Sequence, residues 1–132
     1  MFRSKVAEAY FNMLNKNKNY KASGAGPFRG YMPLDKKDVA AARKFGIKIK
    51  GRPRGISVDL LRKQDIIVNV ANDVPSNLFD VKRGYMKKNV KVISWSVRDT
   101  SGSITNNNIE EIVKKIMKKV EKFVKELEKG KW

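Results

Sequence analysis

The sequence contains no cysteine and no histidine. This double absence removes more chemistry than any motif in the chain adds: thiol nucleophiles, disulfides, zinc clusters built on Cys or His, and every Ser-His or Cys-His device are excluded from these 132 residues. Acid-base work falls to carboxylates, lysines and tyrosines. No apolar run approaches the ~18 residues of a membrane span, and no basic segment followed by an apolar one marks a secretory leader. The expected location is therefore cytoplasmic, with no membrane partner. Acidic residues are also scarce, 13 Asp and Glu against 30 Lys and Arg, for a net charge of +17. Such a field attracts polyanions or anionic substrates and speeds their encounter. Its sign does not identify the partner, because an AT-rich genome produces the same abundance of lysine and asparagine.

What is present reads as one globular domain, residues 1–132, with 41% hydrophobic and 9% aromatic residues and enough length to bury roughly two thirds of its unfolded surface. A helix is expected from Ser4, its N-cap, with Val6, Ala9, Tyr10, Met13 and Leu14 at helical spacing, ended by Asn15 to Asn19. Tyr20 to Ser23 is a short strand candidate before the turn Gly24-Ala25-Gly26-Pro27. Asp35 to Phe45 predicts a second helix stopped by Gly46, and Ser57 to Lys63 a short third one. Ile66-Ile67-Val68-Asn69-Val70 is a β-branched run without alternation, as in a strand buried on both faces of a parallel sheet. Val90, Val92, Ile93 and Trp95 make another strand, and Arg98 to Asn108 a polar loop. The last helix has an apolar stripe from Ile109 to Leu127, Glu110 and Glu111 in its first turn, and Gly130 at its end.

Strands alternating with helices imply an α/β fold, an open and mostly parallel sheet with helices on both faces. Ligands of such sheets sit beyond the carboxyl ends of the strands. The first helix, however, starts at the N-terminus, where this class normally places a strand that feeds it. The first strand is expected to be missing, which would leave unpaired backbone groups on its neighbours, each costing roughly 1–3 kcal/mol if buried.

Arg3-Ser4 at the start of a helix is the first candidate site. A helix N-terminus offers free N–H groups and a positive dipole end to an anion, and an arginine grips a phosphate through two parallel hydrogen bonds. On these two residues alone, a terminal arginine beside a capping serine reads as well. The wider pattern Phe2-Arg3-Ser4-Lys5-Val6-Ala7-Glu8-Ala9-Tyr10-Phe11 resembles the end of the signature of low-molecular-weight protein tyrosine phosphatases and their arsenate-reductase relatives, in which a strand delivers Cys-(x)5-Arg-Ser/Thr into a helix. Further matches follow in order: Ala22-Ser23-Gly24-Ala25-Gly26, the helix from Asp35 to Phe45-Gly46-Ile47, Asp65-Ile66-Ile67-Val68, and Trp95-Ser96-Val97-Arg98-Asp99 before a long terminal helix.

The resemblance implies a phosphotyrosine phosphatase I-like three-layer sandwich, no metal and no cofactor, and a phosphorylated protein or small-molecule phosphate as partner. It implies that Arg3 binds the equatorial oxygens of the phosphoryl group, that Ser4 stabilises a cysteine thiolate, and that Asp99 protonates the leaving oxygen. Phe28 and Tyr31, in the loop after the second strand, would line the substrate mouth. Two departures matter. The cysteine would lie six positions before Arg3, upstream of Met1, and the family's Asp-Pro is Asp99-Thr100 here. The expectation is a truncated, phosphatase-like chain that is catalytically inactive as written; a decayed member or a separately encoded first strand gives the same sequence. A small-thiol-dependent arsenate reductase is the alternative if the N-terminus is restored, since the thioredoxin-coupled members need further cysteines. A non-catalytic phosphate- or nucleic-acid-binding module is the rival, resting on Lys114, Lys115, Lys118, Lys119, Lys122 and Lys125 and on Gly51-Arg52-Pro53-Arg54-Gly55. That face, with Glu121 and Glu126 interleaved, is also what a solvated helix surface looks like, and oligomeric state is not legible.

Overall fold

A computed structural model describes residues 2–25, 36–49, 55–71, 86–98 and 106–132. Its elements are α1 (Phe2–Leu14), α2 (Lys36–Lys44), α3 (Val58–Arg62), β1 (Ile66–Ala71), β2 (Lys91–Val97) and α4 (Asn106–Glu128).

The long helix α4 organises the rest. Its periodic apolar positions put Ile109, Ile112, Val113, Ile116, Val120, Phe123, Val124 and Leu127 on one buried face, while the six lysines of the opposite face are exposed. Each large aliphatic chain buried in this way contributes about 1.5–3 kcal/mol. The helix starts at Asn106, inside the segment expected to be loop, so Glu110 and Glu111 fall in its second turn. Packing of the stripe outweighs the weak helix propensity of three successive asparagines. Glu110 instead meets Lys44 of α2 at 2.8 Å.

Helices α1 and α2 pack on this face, and Val6, Tyr10, Ala42, Ile47, Val113, Ile116 and Val120 share one core with Val70 and Val97 of the strands. Helix α1 begins at Phe2, so Ser4 is inside the first turn and is not the N-cap. The cause is burial: Phe2 packs against the core and Arg3 is 6% exposed, which draws the first turn into the helix. The buried face of α1 is centred on Arg3, Val6, Ala7 and Tyr10, leaving Met13 on its flank, 54% exposed. Helices α2 and α4 end as expected. Gly46 (φ 77°) follows α2, with its N–H donating to Arg43 O and the Ile47 N–H to Ala42 O; Gly130 and Lys131 repeat the pattern on Leu127 O and Glu126 O. Both are Schellman endings. Ser57 caps α3, its hydroxyl accepting from Leu60 N at 3.1 Å.

Strands β1 and β2 pair in parallel, from Ile66 with Lys91 to Asn69 with Ser94, and then Ala71 with Val97. The extra residue on β2 is a bulge, and within it Ser96 adopts φ 51°, a left-handed conformation costing a non-glycine residue of order 1–3 kcal/mol. The bulge leaves Ser96 exposed and turns Val97 into the core. The sheet is covered on one face by α1 and α4 and on the other by α3, where Leu61, Ile67 and Met86 form a second cluster. The fold is therefore α/β, a small parallel sheet between helices. Two expectations change. Ile66 and Val68 of β1 are half-buried, so the strand is not enclosed on both faces. Residues 20–23 form no strand: they run without a ladder, and Ala22 is held by the Asn12 side chain, which accepts from its N–H and donates to its carbonyl, both at 3.4 Å. Both changes have one origin, the lack of a strand between these segments among the described residues. No helix among the described residues is long and apolar enough to cross a membrane.

Candidate active site

The first turn of α1 is where the fold brings its strand ends together. Arg3 extends from it to the carboxyl end of β2, donating from Nη1 to Val97 O at 2.8 Å. Because Ala71 pairs with Val97, the carboxyl end of β1 lies at the same place. Residues 22–25 arrive on the other side: Gly24 donates its N–H to Glu8 Oε2 at 2.8 Å. A Cβ at Gly24 would lie 2.7 Å from that oxygen and 3.0 Å from Ser4 O, so glycine is required here by close approach to the helix. Since Ala22 meets Asn12 and Gly24 meets Glu8, this segment runs antiparallel to α1 and hence parallel to β1 and β2. Three carboxyl ends thus converge on one helix N-terminus, the position where open α/β sheets hold ligands.

The electrostatics favour an anion. The first-turn N–H groups of α1 and its dipole present positive potential, and Arg3 adds a buried guanidinium. Lys5 is buried as well, 3% exposed, and meets Glu8 Oε2 at 3.3 Å, so Glu8 balances one cation while holding Gly24. A tetrahedral oxyanion suits a helix start with an arginine beside it, because planar guanidinium N–H groups bind it in pairs.

Of the residues expected at the site, Arg3 and Ser4 stand together in this turn. Asp99, Phe28 and Tyr31 lie outside the described residues, as does the basic run from Gly51 to Arg54. Val97, two positions before Asp99 in the sequence, is the residue Arg3 holds. Asp65 makes an exposed ion pair with Lys87 at 2.8 Å, away from this turn. Glu8 and Val97 had no role in the sequence reading. Glu8 was findable, since it lies one turn after Ser4 and so on the same helix face; Val97 was not, because its contribution is a backbone carbonyl aimed by a bulge.

The family model described as low molecular weight phosphotyrosine protein phosphatase matches residues 1–131. Among solved structures, an arsenate reductase from Archaeoglobus fulgidus DSM 4304 superposes with a TM-score of 0.66 at 25% sequence identity, over 92% of this chain and 90% of that one. No curated protein matches the sequence significantly.

Proposed function

Because the chain belongs to the low-molecular-weight phosphotyrosine protein phosphatase family, we propose that the first turn of α1 is the arginine half of a phosphoryl-binding site. On this reading the 132 residues bind tetrahedral oxyanions but do not by themselves hydrolyse phosphate esters. The observation that carries it is the placement of Arg3, a buried guanidinium at the point where the carboxyl ends of β1, β2 and residues 22–25 meet a helix N-terminus.

The chemistry follows from the groups. Arg3 and the α1 amides hold the non-bridging oxygens and stabilise the charge that builds on them as the phosphoryl group transfers. Asp99 donates a proton to the leaving oxygen. Hydrolysis by this route requires a thiolate to attack phosphorus, forming an S–P bond as the ester P–O bond breaks, and then water to cleave the S–P bond. Helix-start amides and an arginine would lower the pKa of such a thiol, with Ser4 as a hydrogen-bond donor to the sulfur. The sequence supplies no thiol, which is why binding and turnover separate.

Arsenate has the same tetrahedral shape and charge as phosphate, so likeness to an arsenate reductase supports an oxyanion site without choosing between the two substrates. Phosphatase chemistry is preferred because a relayed disulfide needs cysteines downstream of the loop, and there are none. The reading is tested by titrating phosphate, arsenate and vanadate into the chain and its Arg3→Lys variant, followed by amide NMR, alongside a p-nitrophenyl phosphate assay. The reading predicts perturbed amides in residues 2–5, affinity lowered about tenfold by loss of the planar fork, and no turnover above background. Equal affinity in both proteins contradicts the site, and turnover that Arg3→Ala abolishes contradicts the inactivity.

A further inference from the structure

A second concavity borders α1, a cleft of about 370 Å³ between this helix and the chain that leaves α2. Lys5, Glu8, Ala9, Asn12 and Met13 supply the helix side, and by helical period these positions lie nearly opposite Arg3. Gly46 and Lys48 supply the other side. The volume falls within the range of about 300–1,000 Å³ usual for small-ligand sites. The cleft is open at Gly46, where an added Cβ would meet no atom within 4 Å.

Two features give the cleft a ligand chemistry. The first is charge at its floor. Lys5 is 3% exposed, and Glu8 Oε2, 3.3 Å from its Nζ, also accepts from the Gly24 N–H at 2.8 Å. One carboxylate oxygen thus serves two donors, whereas an ammonium alone carries three. With Lys48 exposed at the rim, the lining holds two cations against one carboxylate, an excess of one positive charge. A buried cation is stabilised by anions and hydrogen bonds that compensate it. The second feature is an apolar wall. Ala9 and Met13 line the cleft, and Met13 is 54% exposed; methionine is an adaptable, polarizable contact for flat ligands. The Asn12 carboxamide is already engaged, accepting from Ala22 N–H and donating to Ala22 O, both at 3.4 Å.

We propose that this cleft binds a small amphipathic monoanion, with its carboxylate set between Lys5 and Lys48 and a flat apolar body laid on Ala9 and Met13. A single negative charge matches the excess of the lining. A phosphate dianion exceeds it, and this face offers neither a planar guanidinium nor helix-start amides to hold tetrahedral oxygens. The ligand brings a second carboxylate to Lys5, so the contact of Glu8 with Gly24 is kept. The proposal rests on this face of α1 alone and stands whether or not Arg3 binds oxyanions.

The test is an amide NMR titration of the 132-residue chain with 1-naphthoate, with the neutral 1-naphthamide and with acetate, repeated on Lys5→Met and Lys48→Met. Naphthoate should give saturable shifts at residues 8–13 and 46–48. Naphthamide, which lacks the charge, and acetate, which lacks the apolar body, should each bind at least about tenfold more weakly. Either lysine variant should weaken naphthoate about tenfold and leave naphthamide unchanged. Lys48 is exposed, so its variant decides the matter even where loss of the buried Lys5 charge unfolds the chain. Equal affinity for naphthoate and naphthamide overturns the proposal, as does undiminished naphthoate affinity in Lys48→Met or the absence of shifts at millimolar naphthoate. Inorganic phosphate separates the two sites: added to the naphthoate complex, it should leave the shifts at residues 46–48 in place. Reversal of those shifts by phosphate would put naphthoate in the Arg3 turn and overturn the cleft, whereas failure of phosphate to bind at all would count against the Arg3 reading and leave the cleft standing.

Discussion

The guanidinium of Arg3 donates to the carbonyl oxygen of Val97 at 2.8 Å, joining the start of the first helix to the end of the second strand across 94 residues of sequence. Both ends of that bond belong to segments that resemble the phosphatase signature, Phe2-Arg3-Ser4 and Trp95-Ser96-Val97-Arg98-Asp99, and the fold brings them into contact. The residue that grips the phosphoryl group in the proposed chemistry also fixes the strand end that leads to Asp99.

Arg3→Lys therefore has two separable effects. Lysine keeps the charge but reaches Val97 with a single ammonium in place of a planar fork. We expect stability to fall by about 1 kcal/mol, the ordinary worth of one buried hydrogen bond, read as a lower urea midpoint with unchanged slope. A melting curve identical to that of the parent would show that the Val97 contact contributes nothing.

Gly24→Ala tests the close approach. The added Cβ meets a flexible carboxylate oxygen at 2.7 Å and the immobile carbonyl of Ser4 at 3.0 Å. Glu8 can swing away but the helix backbone cannot, so we expect about 1–3 kcal/mol of destabilisation, only partly relieved in the Gly24→Ala/Glu8→Ala double variant. Full relief would place the strain on Glu8 alone.

The phenol of Tyr10 has its pKa raised above the ordinary tyrosine value, first by burial and then by the negative charge of Glu121. A raised folded-state pKa means that the native protein holds this proton after the unfolded chain has lost it. The stabilising contribution is complete below about pH 10 and is lost as pH rises from there through the folded-state value. Chemical denaturation between pH 9 and 11 should show the decline, and Tyr10→Phe should flatten it. An unchanged slope in the variant would assign the alkaline loss to other groups.

The two faces of α4 should respond oppositely. Ile116 is fully buried, and Ile116→Ala should cost about 2–5 kcal/mol. Lys118→Ala and Lys122→Ala lie on the exposed face and should change stability by less than about 0.5 kcal/mol. If the lysine pair instead abolishes salt-dependent DNA binding by the chain, the exposed face has a partner and is more than a solvated surface.

Much of this architecture was legible beforehand, for physical reasons. The α4 stripe, the Gly46 and Gly130 endings and the parallel run at Ile66 all rest on local rules, namely period, left-handed glycine and β-branched enrichment. What was not legible depends on distant parts of the chain. The start of α1 at Phe2 is set by burial of Arg3 against β2, and the extension of α4 back to Asn106 by packing of its stripe. Residues 20–23 have strand-like sequence but no neighbour to pair with among the described residues, so they form no ladder and Ala22 is held by Asn12. Of the site, Arg3 and Ser4 could be named from the motif, whereas the partners that fix the turn, Val97 O and Glu8, emerge only when the three carboxyl ends are seen together.

The most direct measurement is p-nitrophenyl phosphate hydrolysis by a variant extended with an apolar strand and a Cys-(x)5 loop ahead of Arg3. The account predicts turnover that is abolished by replacing the added cysteine with serine or by Arg3→Ala, set against none from the 132 residues alone. An extended variant that folds, stays inactive and binds DNA in a salt-dependent manner would contradict it.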